Sequence, residues 1–543
     1  MGAAIAADKP SAQAGLFTRK SSGLVRELGI PSTVGIALAS VVVVNTFLNF
    51  YAGLTGFGQV DMTVPLLLAA AIWIVAMLAY RTLLEAIPRA GGEYVYVSRV
   101  ISPVIGAMVG ISLAVAFLFF LGSAANFTAQ YIPFALTSIG AALNSSSVSD
   151  AASQITSTGA IAIISVVVLV LLGVCSVFPL RRVAQVVLVL VVIQGIAYLS
   201  VAFLLLTHTH DQFVAAFAQF SNHPNAYTDV ISAANKDNLP LGVSFVTSLT
   251  VIPFMFLNFN GSLYGYYVAG ELKRPGRTYL WASVFTIAFL VIVWLGVWLL
   301  MLDRIGLDFM QAQSQLAATD PTAYAAITNV QASANGLGYG LVLSGDPVTK
   351  ILIGVAIPLS AFALLLAFMV VVTRILFALA FDRLLPVSLA ELNERGVPVR
   401  AIAVAVAGGI AFTLLNAYGT LVTISANLSL FTALIVLSGS VAAMLLPFRR
   451  RDLVLKPGTT DVARFAGIPT ASIWGGLSTV LVLIVIALIV THPSVFGRFS
   501  FVSVAALVVI LAAGPVIYFI ARQIRLSRSS IDLSVAMHEL PPE

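Results

Sequence analysis

Long apolar runs separated by short polar breaks dominate this chain, and the breaks are rich in arginine, glycine and proline. A run of roughly 20 apolar residues is enough to cross a bilayer as an α-helix. Such runs fall at about 31–55, 63–88, 103–132, 158–179, 183–207 and 241–270, and again at about 278–302, 350–378, 398–417, 419–447, 471–492 and 498–521. The pattern predicts an all-α polytopic membrane protein with twelve transmembrane helices. Residues 1–25 have no apolar core of their own and read as an N-terminal tail. The membrane domain then covers 26–522, and 523–543 form a second tail.

Charge sets the orientation. Of the 28 Lys and Arg residues, all but Lys236, Arg304, Lys350 and Arg498 fall in segments on one side of the predicted bundle. By the positive-inside rule that side is cytoplasmic, and both termini lie there. The opposite side carries two long polar segments, 208–240 and 303–349, read as a vestibule and lid. In the second, DFMQAQSQLAATDPTAYAAITNVQ predicts a short amphipathic helix over the outer mouth.

Composition agrees with this reading. The chain is 59% apolar and 9% charged, against roughly 25% charged in soluble domains. Its basic residues are spread over every inner loop and not gathered on one face, so the net charge of +6 implies membrane lipid as a neighbour and not nucleic acid. The lone Cys175 permits no disulfide within the chain. The spacing of His208, His210 and Asp211 reads as a solvated loop and not as a metal site. With no membrane-embedded His or carboxylate cluster and no HExxH or GxSxG motif, neither an enzyme nor a cofactor is indicated.

Candidate chemistry concentrates in the sixth run, FLNFNGSLYGYYVAGELKRP. There Asn258, Asn260, Gly261 and Ser262 interrupt apolar sequence at membrane depth. A polar, glycine-containing break is tolerated in hydrocarbon only where it lines a cavity or is buried in protein. Near the midplane such a break exposes half-helix ends that can hold a small polar or zwitterionic solute. The first run has a counterpart in Asn45, Thr46 and Asn49, with Asn45 and Asn49 on one helix face. Phe256, Phe259 and Tyr264, beside the break, are candidates to shape the pocket. The centres of all twelve runs lack Lys, Arg, Asp and Glu, which favours a neutral or zwitterionic substrate. The nearest acids, Glu85, Glu93 and Glu271, sit at inner helix ends, where pairing with Arg81, Arg89 or nearby bases would hold a cytoplasmic gate. They are also the candidates for proton coupling.

Four stretches carry a resemblance. AIPRAGGEYVYVSRVISPVIGAMVG (Ala86 to Gly110) resembles the inner-loop signature of the amino acid–polyamine–organocation superfamily. VAGELKRPGRTYL resembles the turn after its sixth span, TRILFALAFDRLLPVSLAELNERGVPVRAI resembles the exit of its eighth, and FPLRRVAQ is a weaker match. The resemblance implies a leucine-transporter-like core with a five-plus-five inverted repeat, about 31–207 and 241–447, and two peripheral helices at about 471–521. It implies secondary transport by alternating access of an amino acid or related solute, with Arg89, Gly91, Gly92 and Tyr94 at the cytoplasmic gate. H+ or Na+ is the coupling ion, and Ser360 is a candidate sodium ligand. Two departures stand out. Where many members have a Gly-Ser-Gly-Ile-Phe type stretch to receive a substrate carboxylate, this chain has Asn45-Thr46-Phe47-Leu48-Asn49. The fifth run also lacks the lysine that replaces sodium in some proton-coupled members, and Gln194 is its only polar group near mid-depth. An inorganic cation transporter or passive pathway on the same scaffold is the alternative. Oligomeric state is not legible from the sequence.

Overall fold

The computed structural model describes residue 24 and residues 26–41, 45–328, 336–418, 428–454, 464–492, 501–529 and 532–537. Among these, eleven helices are long and apolar enough to cross a membrane: Thr63–Ala86, Pro103–Leu143, Thr158–Ser176, Leu180–Thr207, Phe245–Glu271, Pro275–Arg304, Pro347–Phe381, Val399–Tyr418, Ser429–Arg449, Thr470–Thr491 and Val504–Arg528. They fall on the second to twelfth predicted runs and take those ordinals below. The first run is described as two shorter helices, Ile30–Val41 and Asn45–Phe57. Helices satisfy their own backbone hydrogen bonds, the condition a chain must meet in hydrocarbon. Their outward faces are apolar: Ile163, Leu171, Val189, Phe203, Ile292 and Val509 are all exposed.

The third helix overruns its predicted end. Pro103–Gln130 is followed by Ile132–Leu143, because Pro133 sits in the first turn of the new helix, where its missing N–H costs nothing. The 303–349 segment also departs from expectation. Leu307–Thr319 is a helix, but every residue from Phe309 to Leu316 is buried, since Asn45–Phe57, Ala226–Lys236 and Pro321–Thr328 all pack against it. Its polar residues are consumed in bonds. Gln313 Oε1 accepts from Tyr51 (2.7 Å) and Tyr339 (2.6 Å), and its Nε2 donates to Tyr324. Gln311 clamps both backbone groups of Gly242. A two-strand hairpin, Arg464–Phe465 with Ile468–Pro469, also lay outside the helical expectation; Ala466 and Gly467 make its turn at positive φ.

The basic loops gather at the other face. A short helix, Glu93–Val100, joins the second and third helices, and its last turn carries Arg99. The Arg99 guanidinium grips Asp382 at the end of the eighth helix with two bonds (2.6 and 2.7 Å), and Tyr94 donates to the same carboxylate at 2.6 Å. Arg374 of the eighth helix holds Glu271 with bonds of 2.8 and 3.0 Å. Both pairs are buried. Arg450 and Arg449 donate to the carbonyls of Arg99 and Ile101, closing the short helix with cations where its dipole is negative.

The first and sixth helices are joined along their length. Leu28 N donates to Glu271 O and Lys273 N to Leu28 O, each at 3.0 Å, forming a parallel bridge. Further along, Gly261 lies against Ser40 so closely that an added Cβ would stand 2.5 Å from the serine Cβ and 2.6 Å from its backbone carbon. Gly265 does the same against Thr33.

Two outcomes are expected from this packing. Asp382→Asn leaves the buried Arg99 without a counter-charge and lowers stability by about 3–5 kcal/mol, measured as a reduced unfolding temperature in detergent; an unchanged temperature would show that the pair is not a fastening. Gly261→Val pushes the first and sixth helices apart and is expected to lower the unfolding temperature, whereas Gly276→Val, whose added Cβ would meet the Glu85 side chain in the basic-face cleft, leaves that contact intact. An unchanged unfolding temperature in the Gly261 variant would refute the close-contact account.

Candidate functional site

The sixth helix changes character at the predicted break. Ile252–Phe259 is α-helical, and Asn260–Glu271 continues as a 3₁₀-helix of 12 residues with a kink at Val268. Runs of 3₁₀ beyond three or four residues are uncommon, and a stretch inside a longer helix often marks a functional hinge. The expected open break is thus a change of pitch that keeps the backbone bonded. Gly261 does not occupy the left-handed region; it is glycine because of the Ser40 contact.

The pitch places the aromatics. Side chains three apart eclipse on a 3₁₀-helix, so Tyr264 and Tyr267 stand one above the other, with ring centroids 5.3 Å apart. Phe117 of the third helix meets both, at 5.8 and 5.7 Å, and also meets Phe368 of the eighth and its neighbour Phe120. Asn260 Nδ2 donates to the Tyr264 hydroxyl at 3.0 Å. A small cavity lies beside this group, walled by the third helix, the 3₁₀ segment and, on the tenth helix, Phe431, Thr432, Ile435 and Val436.

Glu93 forms part of the same wall. Two glycines deliver it there. Gly91 (φ 115°) and Gly92 (φ 59°) adopt angles that side-chain-bearing residues avoid. A Cβ on Gly92 would sit 2.4 Å from the Tyr267 ring, and one on Gly91 2.6 Å from Ala378. The loop therefore lies flat on the 3₁₀ segment, held by Gly91 N donating to Tyr267 O at 3.1 Å. The next residue starts the short helix fully buried. Glu93 Oε1 accepts from Tyr80 at 3.0 Å and from Tyr266 at 2.6 Å.

The predicted site residues thus divide. Asn260 and Tyr264 line the cavity, and Ser262 is buried nearby in the same segment with its hydroxyl unbonded. Asn258 donates to Phe254 O within its own helix. Phe256 stacks on Trp73 (4.7 Å) and Phe259 meets Trp294 (5.0 Å), so both pack the sixth helix against its neighbours and leave the cavity wall to Phe117 and Phe120. The side chains of Asn45, Thr46 and Asn49 lie outside the described residues.

The acids separate as well. Glu85 pairs with Arg81 at 2.8 Å, one of the pairings expected for it. Glu271 pairs with Arg374, and Glu93 with tyrosines instead of the expected base. Ser360 donates to Ile357 O at 2.8 Å within its own helix, a packing arrangement that commits its proton locally. Arg89 sits in the loop before Gly91, where burial and the charges of Arg26 and Arg99 lower its pKa to about 10. Gln194 of the fifth helix is fully buried, and its amide has no partner among the described residues.

Sequence reading missed Tyr266, Tyr267 and Thr432. A YGYY run with glycine between tyrosines was the available signal for the first two; nothing local marks Thr432, which reaches the cavity only through packing of the tenth helix.

No curated protein matches the sequence of this chain. The family model described as amino acid permease matches residues 33–529, which takes in the altered sixth helix, the double-glycine loop and both buried ion pairs. A multi-pass helical protein that encloses a part-polar cavity and matches that model over nearly its whole length belongs to the amino acid permease family of the amino acid–polyamine–organocation superfamily.

Proposed function

We propose that the protein is a secondary transporter that carries a small neutral or zwitterionic solute, foremost an amino acid, across the cell membrane by alternating access. The observation that carries this reading is one part-polar cavity between two sealed faces. Toward the long polar segments, the Gln311 and Gln313 networks lock Leu307–Thr319 onto the first helix and its neighbours. Toward the basic loops, the Arg99–Asp382 and Arg374–Glu271 pairs tie the eighth helix to the double-glycine loop region and to the end of the 3₁₀ segment. Opening one seal at a time gives the cavity access to one side at a time.

On this reading the basic face is cytoplasmic, with both termini there, in a plasma membrane of prokaryotic type. The core is two inverted repeats, about 31–207 and 241–447, with the last two helices peripheral. Asn260, Ser262 and Tyr264 of the altered sixth helix bind the solute together with the first run's Asn45, Thr46 and Asn49. Arg89, Gly91, Gly92 and Tyr94 belong to the cytoplasmic gate, and H+ or Na+ drives the cycle.

Uptake of a radiolabelled amino acid panel into proteoliposomes of the purified protein tests this. Saturable uptake with counterflow is expected. Asn260→Leu, which removes a polar group from the cavity wall, is expected to raise the half-saturating concentration about tenfold with folded yield near that of the unaltered protein. Unchanged affinity in that variant would remove Asn260 from the site. Conductance without counterflow would replace a carrier by a passive pathway.

A further inference from the structure

One buried group has chemistry that the transport reading leaves unused. Glu93 is fully buried on the cavity wall, and its two oxygens differ. Oε1 receives the Tyr80 and Tyr266 hydroxyls, whereas Oε2 is buried with no hydrogen-bond partner among the described residues.

Among the described residues, the titratable groups facing this carboxyl are all phenols. They are Tyr80 of the second helix, Tyr96 of its own short helix, Tyr264, Tyr266 and Tyr267 of the 3₁₀ segment, and Tyr279 of the seventh helix. The third and tenth helices contribute Leu113, Phe117, Phe120, Phe431, Thr432, Ile435 and Val436 to the cavity, none of them ionisable. Arg99 is engaged with Asp382 and Arg374 with Glu271, and Arg89, four residues before Glu93 in the loop, makes no ion pair with it.

Two consequences follow from elementary electrostatics. A buried carboxylate with no counter-cation is strongly disfavoured, so the group keeps its proton in this state. A cation entering the cavity reverses that preference. An alkylammonium head supplies both the charge and the N–H donors that Oε2 lacks, and the rings of Phe117, Phe120, Tyr264 and Tyr267 would face it and its apolar substituent once the cavity widens from its present size of about 20 Å³, room for about one water. Among the described residues, the cavity wall has no Lys, Arg or His to receive a carboxylate.

We propose that Glu93 is the ammonium-binding group of the cavity and that it holds either a proton or the substrate's ammonium group, never both. The carboxyl O–H bond breaks as the ammonium arrives, the proton leaves to solvent, and a carboxylate–ammonium pair takes its place; the ligand itself is unchanged covalently. The exchange couples substrate to protons at one residue. It also makes the amino group, and not the carboxylate, the feature by which the substrate is recognised. This rests on the reading of the chain as a carrier of amino compounds.

Calorimetric titration of the full-length protein in detergent, in two mildly acidic buffers of different ionisation enthalpy, tests the exchange. Three matched sets serve as probes: alanine, ethylamine and propionate; leucine, isoamylamine and 4-methylvalerate; phenylalanine, phenethylamine and 3-phenylpropionate. The expected result is release of one proton per amino compound bound, with no binding of the three acids that lack an amino group. Glu93→Gln, close in shape to the protonated side chain, is expected to abolish the proton release and weaken binding at least about tenfold.

Binding to the unaltered protein without proton release overturns the proposal, and this readout does not depend on how well the variant folds. Unchanged affinity in Glu93→Gln also overturns it; if proteoliposome uptake then persists, the carrier reading stands while the role of Glu93 falls. Unchanged affinity with loss of the pH dependence of uptake would leave Glu93 a proton carrier only. If monodisperse unaltered protein neither binds nor transports any of the nine compounds, the amino-compound reading falls as well.

Discussion

The cost of removing a charge from water governs this structure more than any single contact. Buried ion pairs survive in a low-dielectric interior only when geometry and hydrogen bonding are complete. Arg374 with Glu271 comes close to that condition with two bonds and support from Thr373, and Arg99 with Asp382 has two bonds and support from Tyr94 but leaves its buried Nε without a partner among the described residues. Both pairs lie toward the ends of their helices, where water could reach the charges if they separated. Glu93 lies under the same penalty with no cationic partner among the described residues. A buried carboxyl in that condition is sensitive to any positive charge brought beside it.

Most of the fold was legible because the bilayer imposes a simple rule on sequence. Eleven of the twelve predicted runs reappear as membrane-length helices and the first as two shorter ones; most described ends move by only a few residues, and the third helix runs on to Leu143. The failures have identifiable causes. The third run was ended at about 132, just before Pro133, but that proline occupies the first turn of a further helix, where it is tolerated. The lid helix looked amphipathic because glutamines read as water-facing. Gln311 and Gln313 instead spend their amides on Gly242, Tyr51, Tyr324 and Tyr339, and those partners come from distant parts of the chain.

The site was legible in part for the same reason. Asn260 and Tyr264 stood out as polar and aromatic residues in an oily run, and they do meet at a cavity. Phe256 and Phe259 were indistinguishable from them by composition; helix rotation sends these two toward Trp73 and Trp294. Glu93 was visible as an acid at a helix end, and the structure has it at the start of Glu93–Val100; its tyrosine partners and its place on the cavity wall were not legible, because the glycine angles at 91 and 92 that lay the loop against the 3₁₀ segment leave no local pattern.

The tight coil of the sixth helix has a mechanical meaning. Val268 divides that coil, and the eight residues before it, Asn260 to Tyr267, would be about 4 Å shorter wound as an α-helix. Rewinding would therefore draw Glu271 toward Asn260 while every backbone group stays hydrogen-bonded, so the segment behaves as a spring whose length changes without exposing its main chain to lipid. Because Leu28 is stitched to the end of that spring, the base of the first helix would be pulled with it.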